Sequence, residues 1–166
     1  FKLTAIYVTH DQHEALSLSD RIALMNKGKI IQIDNSETIY TNPRNKFVAN
    51  FLGSSNIIEG KFIKKGIKKN EWIFESEMGK LVVYSEKTSF KPTSQISWRS
   101  EKVSFDKSSP NKITGKIHNI YFLGSHYEVF VKINNEVVKI NVHDKKLLKN
   151  EITFFINKDD LKILED

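Results

Sequence analysis

Thr4-Ala5-Ile6-Tyr7-Val8-Thr9-His10-Asp11-Gln12-His13-Glu14-Ala15-Leu16-Ser17-Leu18-Ser19-Asp20-Arg21-Ile22-Ala23-Leu24-Met25-Asn26 changes its hydrophobic pattern twice within one short stretch. Ala5 to Val8 is an apolar run rich in β-formers, and it reads as a buried strand. Thr9 stands three residues before Gln12, a capping-box spacing that predicts a helix start. Ala15, Leu16 and Leu18 give that helix one packed face, and Arg21 to Asn26 is strand-like again. A strand, a tight turn and a helix put His10 at the strand's carboxyl end, where open α/β sheets place ligands.

Working outward, Lys27-Gly28 separates Arg21–Asn26 from Lys29–Ile33 as a hairpin turn, with glycine supplying positive φ. Asn35 is placed to cap a short helix over Ser36 to Tyr40, which Asn42-Pro43 ends. In the helix that follows, Phe47 and Phe51, then Val48 and Leu52, stack four apart, and Gly53 is its left-handed cap.

With Val8-Thr9-His10-Asp11-Gln12, Glu14-Ala15-Leu16 and Ser19-Asp20-Arg21-Ile22, the chain resembles the switch-histidine segment of ABC-transporter ATPase subunits. The resemblance continues through Met25 to Ile30, Gln32-Ile33, Glu37, Ile39-Tyr40, Pro43, Phe47-Val48-Ala49 and Phe51-Leu52-Gly53. That combination is typical of the importer branch, whose ATPases carry a C-terminal regulatory β-domain. It implies that residues 1–53 are the end of a nucleotide-binding domain and residues 54–166 the regulatory domain.

The chain of 166 residues has no cysteine, so disulfides and thiolate metal sites are excluded. No apolar run reaches the ~18–20 residues of a membrane span, and no signal peptide opens the chain. A net charge of +6 raises the question of nucleic acid, but 23 of the 26 basic residues are Lys. Arg, the better residue for bidentate recognition, occurs only at 21, 44 and 99, so a solvated basic surface is the plainer reading. The family's Gly-x-x-x-x-Gly-Lys-Ser/Thr phosphate loop, signature motif and Walker B strand do not occur in these residues. The chain therefore reads as the tail of a longer protein, inactive on its own. A first strand without sheet neighbours also predicts self-association.

After Asn56 the period becomes two. Strands are expected at 57–63, 71–75, 81–84, 96–99, 113–122, 126–133, 136–142 and 152–156, with turn formers between them. Short strands with regular turns indicate a small β-barrel or sandwich, so the fold class is mainly β. Asn56 to Gly60, Trp98-Arg99-Ser100-Glu101, Tyr121 to Glu128 and Asp159-Asp160-Leu161 resemble the importer family's TOBE domain, an OB-like barrel. Ser100 stands where that family usually has proline, which predicts a looser turn around the candidate regulatory residues Arg99 and Glu101. Leu123 to Glu128 is most similar to spermidine/putrescine importers. Sugar, glycerol phosphate, sulfate and iron importers are the alternative substrates.

From spacing alone, His10 is a histidine flanking a helix. The resemblance implies instead that it reaches the γ-phosphate of ATP and helps hold the attacking water, with ATP and Mg2+ bound by the full-length protein. An imidazole suits that task because it donates to a phosphate oxygen without a fixed charge. The implied partners are a second ATPase subunit, transmembrane permease subunits and, indirectly, a solute-binding protein, at the cytoplasmic face of the cell membrane. His13, three residues from His10, makes a weak metal pair, and no metal is expected. Asp11 and Glu14 suit a helix's first turn without any catalytic role. Trp72, Phe74, Tyr84, Trp98, Tyr121 and Tyr127 are mostly expected in the core, although OB-like barrels also stack bases. The competing reading is a free-standing OB-like module for nucleic acid or a small anion, which would have no use for residues 1–53.

Overall fold

Lys27 and Gly28 take φ of 48° and 75°, the paired positive values that match a tight hairpin to strand twist. They join β1 (Ile22–Asn26) to β2 (Lys29–Asp34) with Asn26 opposite Lys29. The computed structural model describes residues 4–107 and 109–165. They form two units, one ending at Gly53 and the other beginning at Ser54. In the first, the hairpin is accompanied by α1 (Gln12–Leu18), α2 (Ser36–Thr41) and α3 (Lys46–Phe51). Ile22, Leu24, Ile39, Val48 and Leu52 form its core. Each helix opens on an acidic or amide side chain accepting backbone N–H groups: Asp11, Asn35 and Asn45 respectively.

Two expectations for this unit need correction. Ala5 to Val8 is not a strand: residues 4–9 carry no regular structure, and Ile6 and Val8 are 94% and 90% exposed. Apolar β-formers make a strand only with a ladder to join, and no described strand pairs with them. The earlier part of that expected strand, residues 1–3, lies outside the described residues. Thr9 does not cap α1 either. Its hydroxyl donates to Glu14 Oε2 at 2.6 Å and accepts the Asp11 N–H at 2.9 Å. Asp11 takes over the cap, accepting from the N–H groups of His13 and Glu14 at 2.7 and 3.3 Å.

Among its described residues the regular structure of the second unit is all β apart from one 3-10 turn, Lys145–Leu147. Its strands are β3 (Ser55–Lys65), β4 (Glu71–Ser76), β5 (Gly79–Tyr84), β6 (Ser94–Arg99), β7 (Val103–Ser104), β8 (Asn111–Phe122), β9 (Tyr127–Ile133), β10 (Glu136–Val142), β11 (Glu151–Ile156) and β12 (Lys162–Leu164). They make two antiparallel five-stranded sheets, in the orders β5-β4-β3-β6-β12 and β10-β9-β8-β11-β7. The two orders are the same pattern used twice, β3–β6 matching β8–β11. The fifth place in each sheet is filled by the short strand of the other half. Alternation along the strands turns Ile58, Phe74, Val83 and Trp98 from one sheet and Val129, Val131, Ile140 and Phe154 from the other into a common core.

Two asparagines join the halves. Asn56 Nδ2 donates to the Lys139 carbonyl and its Oδ1 accepts the Lys139 N–H, both at 2.7 Å. Asn111 does the same to Val82, at 2.9 and 2.6 Å. Each amide imitates one rung of a β-ladder on an edge strand, so β5 and β10 do not present a free edge there. Backbone bonds repeat the relation: the Tyr84 N–H reaches the Lys158 carbonyl, and the Asn141 N–H reaches that of Ser100.

Glu71 closes the β3–β4 turn. Its Oε2 accepts the Lys68 N–H at 3.0 Å and its Oε1 accepts from Lys158 Nζ at 2.7 Å. The Lys158 hydrogen bond, more than the Lys68 N–H, holds the Glu71 carboxyl below its usual range, and in return Glu71 raises the Lys158 ammonium. A depressed carboxyl stabilises the fold above its unfolded pKa of about 4.3 and loses that contribution as pH falls through the folded value. Lys158, raised, contributes below its unfolded value and loses that contribution in strong base. The urea midpoint of the wild type is therefore expected to fall below about pH 4.3 more steeply than that of Glu71→Gln. Parallel acid limbs for the two proteins would show that the pair has no such linkage.

Candidate functional site

His10 is exposed, in the bend that separates the irregular segment from α1. The residues around it are strapped down. Tyr7 Oη and Thr9 Oγ1 both donate to Glu14 Oε2, at 3.0 and 2.6 Å, and Asp11 caps the helix. Those bonds raise the Tyr7 hydroxyl, chiefly through Glu14, and lower the Asp11 carboxyl through the two backbone N–H groups it accepts. Helix α1 is tied at its start, where Gln12 Oε1 accepts the Gly53 N–H at 2.9 Å. Gly53 itself needs φ of 77°, and a Cβ there would stand 3.0 Å from the Tyr40 ring. The capping bonds therefore fall to Asp11, and the imidazole of His10 is left facing solvent on a pinned backbone. Such a side chain can donate to a polyanionic ligand brought to that helix start.

His13 is exposed one turn further on. Among the described residues no group of three or more His, Cys, Asp or Glu could hold a metal ion. Asp11 is the cap just before α1 rather than a first-turn residue, and Glu14, in the first turn, accepts from Tyr7 and Thr9.

In the second unit Arg99 and Glu101 share one turn at the end of β6, closed by the Lys102 N–H on the Arg99 carbonyl at 2.9 Å. Arg99 is 5% exposed, and its Nη1 donates to Ser55 Oγ at 2.6 Å. Glu101 is exposed and accepts a long 3.5 Å bond from Ser100 Oγ. Ser100 is tied on both sides. Its N–H, which proline would lack, donates to the Ser54 carbonyl at 3.3 Å, while its own carbonyl accepts from Asn141. Around this turn Ser54 Oγ, Trp98 Nε1 and Asn141 Oδ1 are buried without a partner among the described residues.

Of the aromatic residues considered for base stacking, Phe74 and Trp98 are core, while Tyr84 and Tyr121 are 38% and 52% exposed. Trp72 is half-buried against Phe90, with Lys65 Nζ 5.7 Å from its ring centre. Sequence reasoning marked Asn56 to Gly60 but passed over Asn111 and the bridging role the two asparagines share, whose signal is an asparagine four residues before a glycine, Gly60 and Gly115, each followed by lysine.

No family model matches the chain. The chain is 34% identical over 165 residues to the spermidine/putrescine import ATP-binding protein PotA of Mesomycoplasma hyopneumoniae, covering 98% of this chain and 35% of that protein. To the protein of the same name from Clostridium acetobutylicum it is 35% identical over 164 residues, covering 98% of this chain and 44% of the relative. For that from Onion yellows phytoplasma the figures are 31% over 163 residues, 98% and 38%. The chain thus spans well under half the length of these relatives. Among solved structures, the cytoplasmic molybdate-binding protein ModG with molybdate bound aligns with a TM-score of 0.53 at 16% identity, covering 65% of this chain and 94% of that one. That likeness shows an OB-like fold.

Proposed function

Because the chain is similar over 98% of its length to the C-terminal part of spermidine/putrescine import ATP-binding proteins of the ABC class, we propose that it forms the C-terminal part of the ATP-hydrolysing subunit of a polyamine importer. That near-complete coverage, including both units, carries the reading. A free-standing anion- or nucleic-acid-binding barrel accounts for the second unit alone.

In this reading the first unit presents His10 to the γ-phosphate. The exposed imidazole fits, since Asp11 already serves the helix start. ATP with Mg2+ supplies the phosphoanhydride whose hydrolysis drives transport, held mainly by parts of the protein outside these residues. His10 donates to a γ-phosphate oxygen and helps orient the attacking water. The second unit is the regulatory and dimerising domain, with Arg99 fixing the start of β3 through Ser55 and Glu101 exposed beside it. The partners are a second ATPase subunit, permease subunits and, indirectly, a solute-binding protein, at the cytoplasmic face of the membrane. No helix among the described residues is long and apolar enough to cross a membrane.

The test is ATP hydrolysis by the assembled transporter. Spermidine- or putrescine-loaded binding protein is expected to stimulate it, and maltose, glycerol phosphate, sulfate and iron systems are not. Stimulation by one of the latter alone would move the assignment to that substrate. The isolated 166-residue chain is expected to bind no ATP at micromolar concentration, because it has no phosphate loop. Calorimetry on the chain would reveal the opposite.

A further inference from the structure

We propose that the outer half of β8 is an edge to which a second copy of this chain adds its own, Ile120–Phe122 against Ile120–Phe122. The proposal rests on the dimerising role read for the second unit and gives that role a surface. β8 outruns one of its neighbours: β11 pairs with it only as far as Lys116 opposite Glu151, whereas β9 pairs with it to Phe122 opposite Tyr127. Beyond Ile117 the hairpin has β9 on one side and, among the described residues, no strand on the other.

The irregularity at His118 decides which backbone groups face that open side. Before it, the Ile117 N–H donates to the Asn150 carbonyl at 3.0 Å, so odd-numbered residues point towards β11. The pairing with β9 shifts between Ile117 and Asn119, and the alternation shifts with it. At the hairpin's end the Leu123 N–H donates to the His126 carbonyl at 2.9 Å, so residues 123, 121 and 119 now bond to β9. Ile120 and Phe122 are left with N–H and C=O directed away from it. Two such residues, one place apart, are self-complementary. With a two-fold axis at Tyr121, Ile120 of each copy lies opposite Phe122 of the other, and each outward N–H meets an outward carbonyl.

The side chains also fit a second copy. Residues 117–127 carry no Asp, Glu, Lys or Arg, in a chain that is 28% charged with a net charge of +6. Two basic chains therefore meet little repulsion here. Ile120, Tyr121, Phe122 and Leu123 are 44%, 52%, 65% and 55% exposed. They leave roughly 400 Å2 per copy to cover, about 800 Å2 over both, short of the ~1,200 Å2 of a stable interface. The dimer is therefore weak, and it suits units tethered to one another through the rest of the proposed ATPase. Other edges compete poorly. β5 and β10 are met by the asparagine amides, and β7 and β12 are two and three residues long.

Polyamine-stimulated hydrolysis tests the importer assignment separately, so either reading can fail without the other. The experiment for this one is sedimentation equilibrium on the whole chain from about 10 µM to about 1 mM. Ile6→Ser and Val8→Ser are present throughout, so that the exposed run before α1 adds no association of its own. The mass is expected to rise from that of one chain towards that of two. Ile120→Lys/Phe122→Lys sets like charges opposite each other and should weaken association by at least about tenfold. Ile120→Lys/Phe122→Glu makes both facing pairs opposite in sign, and should associate at least about tenfold more tightly than the variant with two lysines. Tyr121→Cys introduces the chain's one cysteine at the two-fold axis, where facing Cα atoms lie about 4.5 Å apart. Mild oxidation should give a disulfide dimer there and none with Asn119→Cys. A parent that stays monomeric, or equal association by Ile120→Lys/Phe122→Lys and the parent, overturns the proposal. So does a Tyr121→Cys chain that forms no disulfide, or an Ile120→Lys/Phe122→Glu chain that associates no better than Ile120→Lys/Phe122→Lys.

Discussion

In the importer ATPase proposed for this chain, His10→Ala is expected to leave nucleotide affinity nearly unchanged and to cut turnover by about a hundredfold or more. The separation follows from what the residue touches. In the proposed reading His10 approaches the reacting phosphoryl group, whereas most of the affinity for a nucleotide comes from the backbone cradle and metal ligands elsewhere in such enzymes. The structure adds a reason to expect a clean result. Asp11, Thr9 and Glu14 hold the local backbone, and no helix cap depends on the imidazole. Steady-state hydrolysis and nucleotide binding measured side by side decide the matter. Near-normal turnover would make His10 a solvent-facing residue at a helix start.

The largest stability effect is expected from two glycines at related places in the halves of the β-unit. A Cβ on Gly60 would stand 2.3 Å from the Glu75 carbonyl oxygen, and one on Gly115 2.6 Å from Val131 Cγ1 and 2.7 Å from the Lys132 carbonyl oxygen. Backbone oxygens of a paired strand cannot swing aside as the end of a lysine can. Gly60→Ala and Gly115→Ala are each expected to destabilise by about 3 kcal/mol, lowering the unfolding temperature by roughly 10–15 °C. Gly79→Ala is the contrast. No atom stands within 4 Å of its Cβ position, so only its positive φ opposes the change. If all three substitutions cost the same, crowding is not what reserves positions 60 and 115 for glycine.

The mainly β class was legible because alternation survives wherever one face is buried. Val129, Val131 and Ile133 face the core between exposed or half-buried neighbours, and Asn134-Asn135 turns the chain, with Asn134 at φ of 51°. The very short strands were not legible. Val103–Ser104 and Lys162–Leu164 are too brief to show a period and exist only because a neighbour offers a ladder. The converse happened at Ala5 to Val8, where composition was right and the ladder was missing. The repeat went unread since its halves share little beyond Asn56 with Gly60 and Asn111 with Gly115. Their hairpin tips have opposite character, Lys64 to Lys69 against Ile120 to Leu123. His10 was legible only as a residue flanking a helix, since the strand expected before it does not form, and its proposed chemistry came from the resemblance of its surroundings.

The exchanged short strands bear on how the β-unit is made. Leu164, near the end of the chain, pairs with Gln95, while Val103 pairs with Ile156. Neither half can finish its sheet from its own stretch of chain, so both must be present before either is complete. During synthesis, residues 55–104 would wait with one sheet edge open until the last strand emerges. Pairings so distant along the chain are slow to form, and the waiting edge is the kind that recruits another copy. A ribosome stalled near residue 157 would thus release a chain prone to aggregate, although nearly all of its hydrophobic core had already been made.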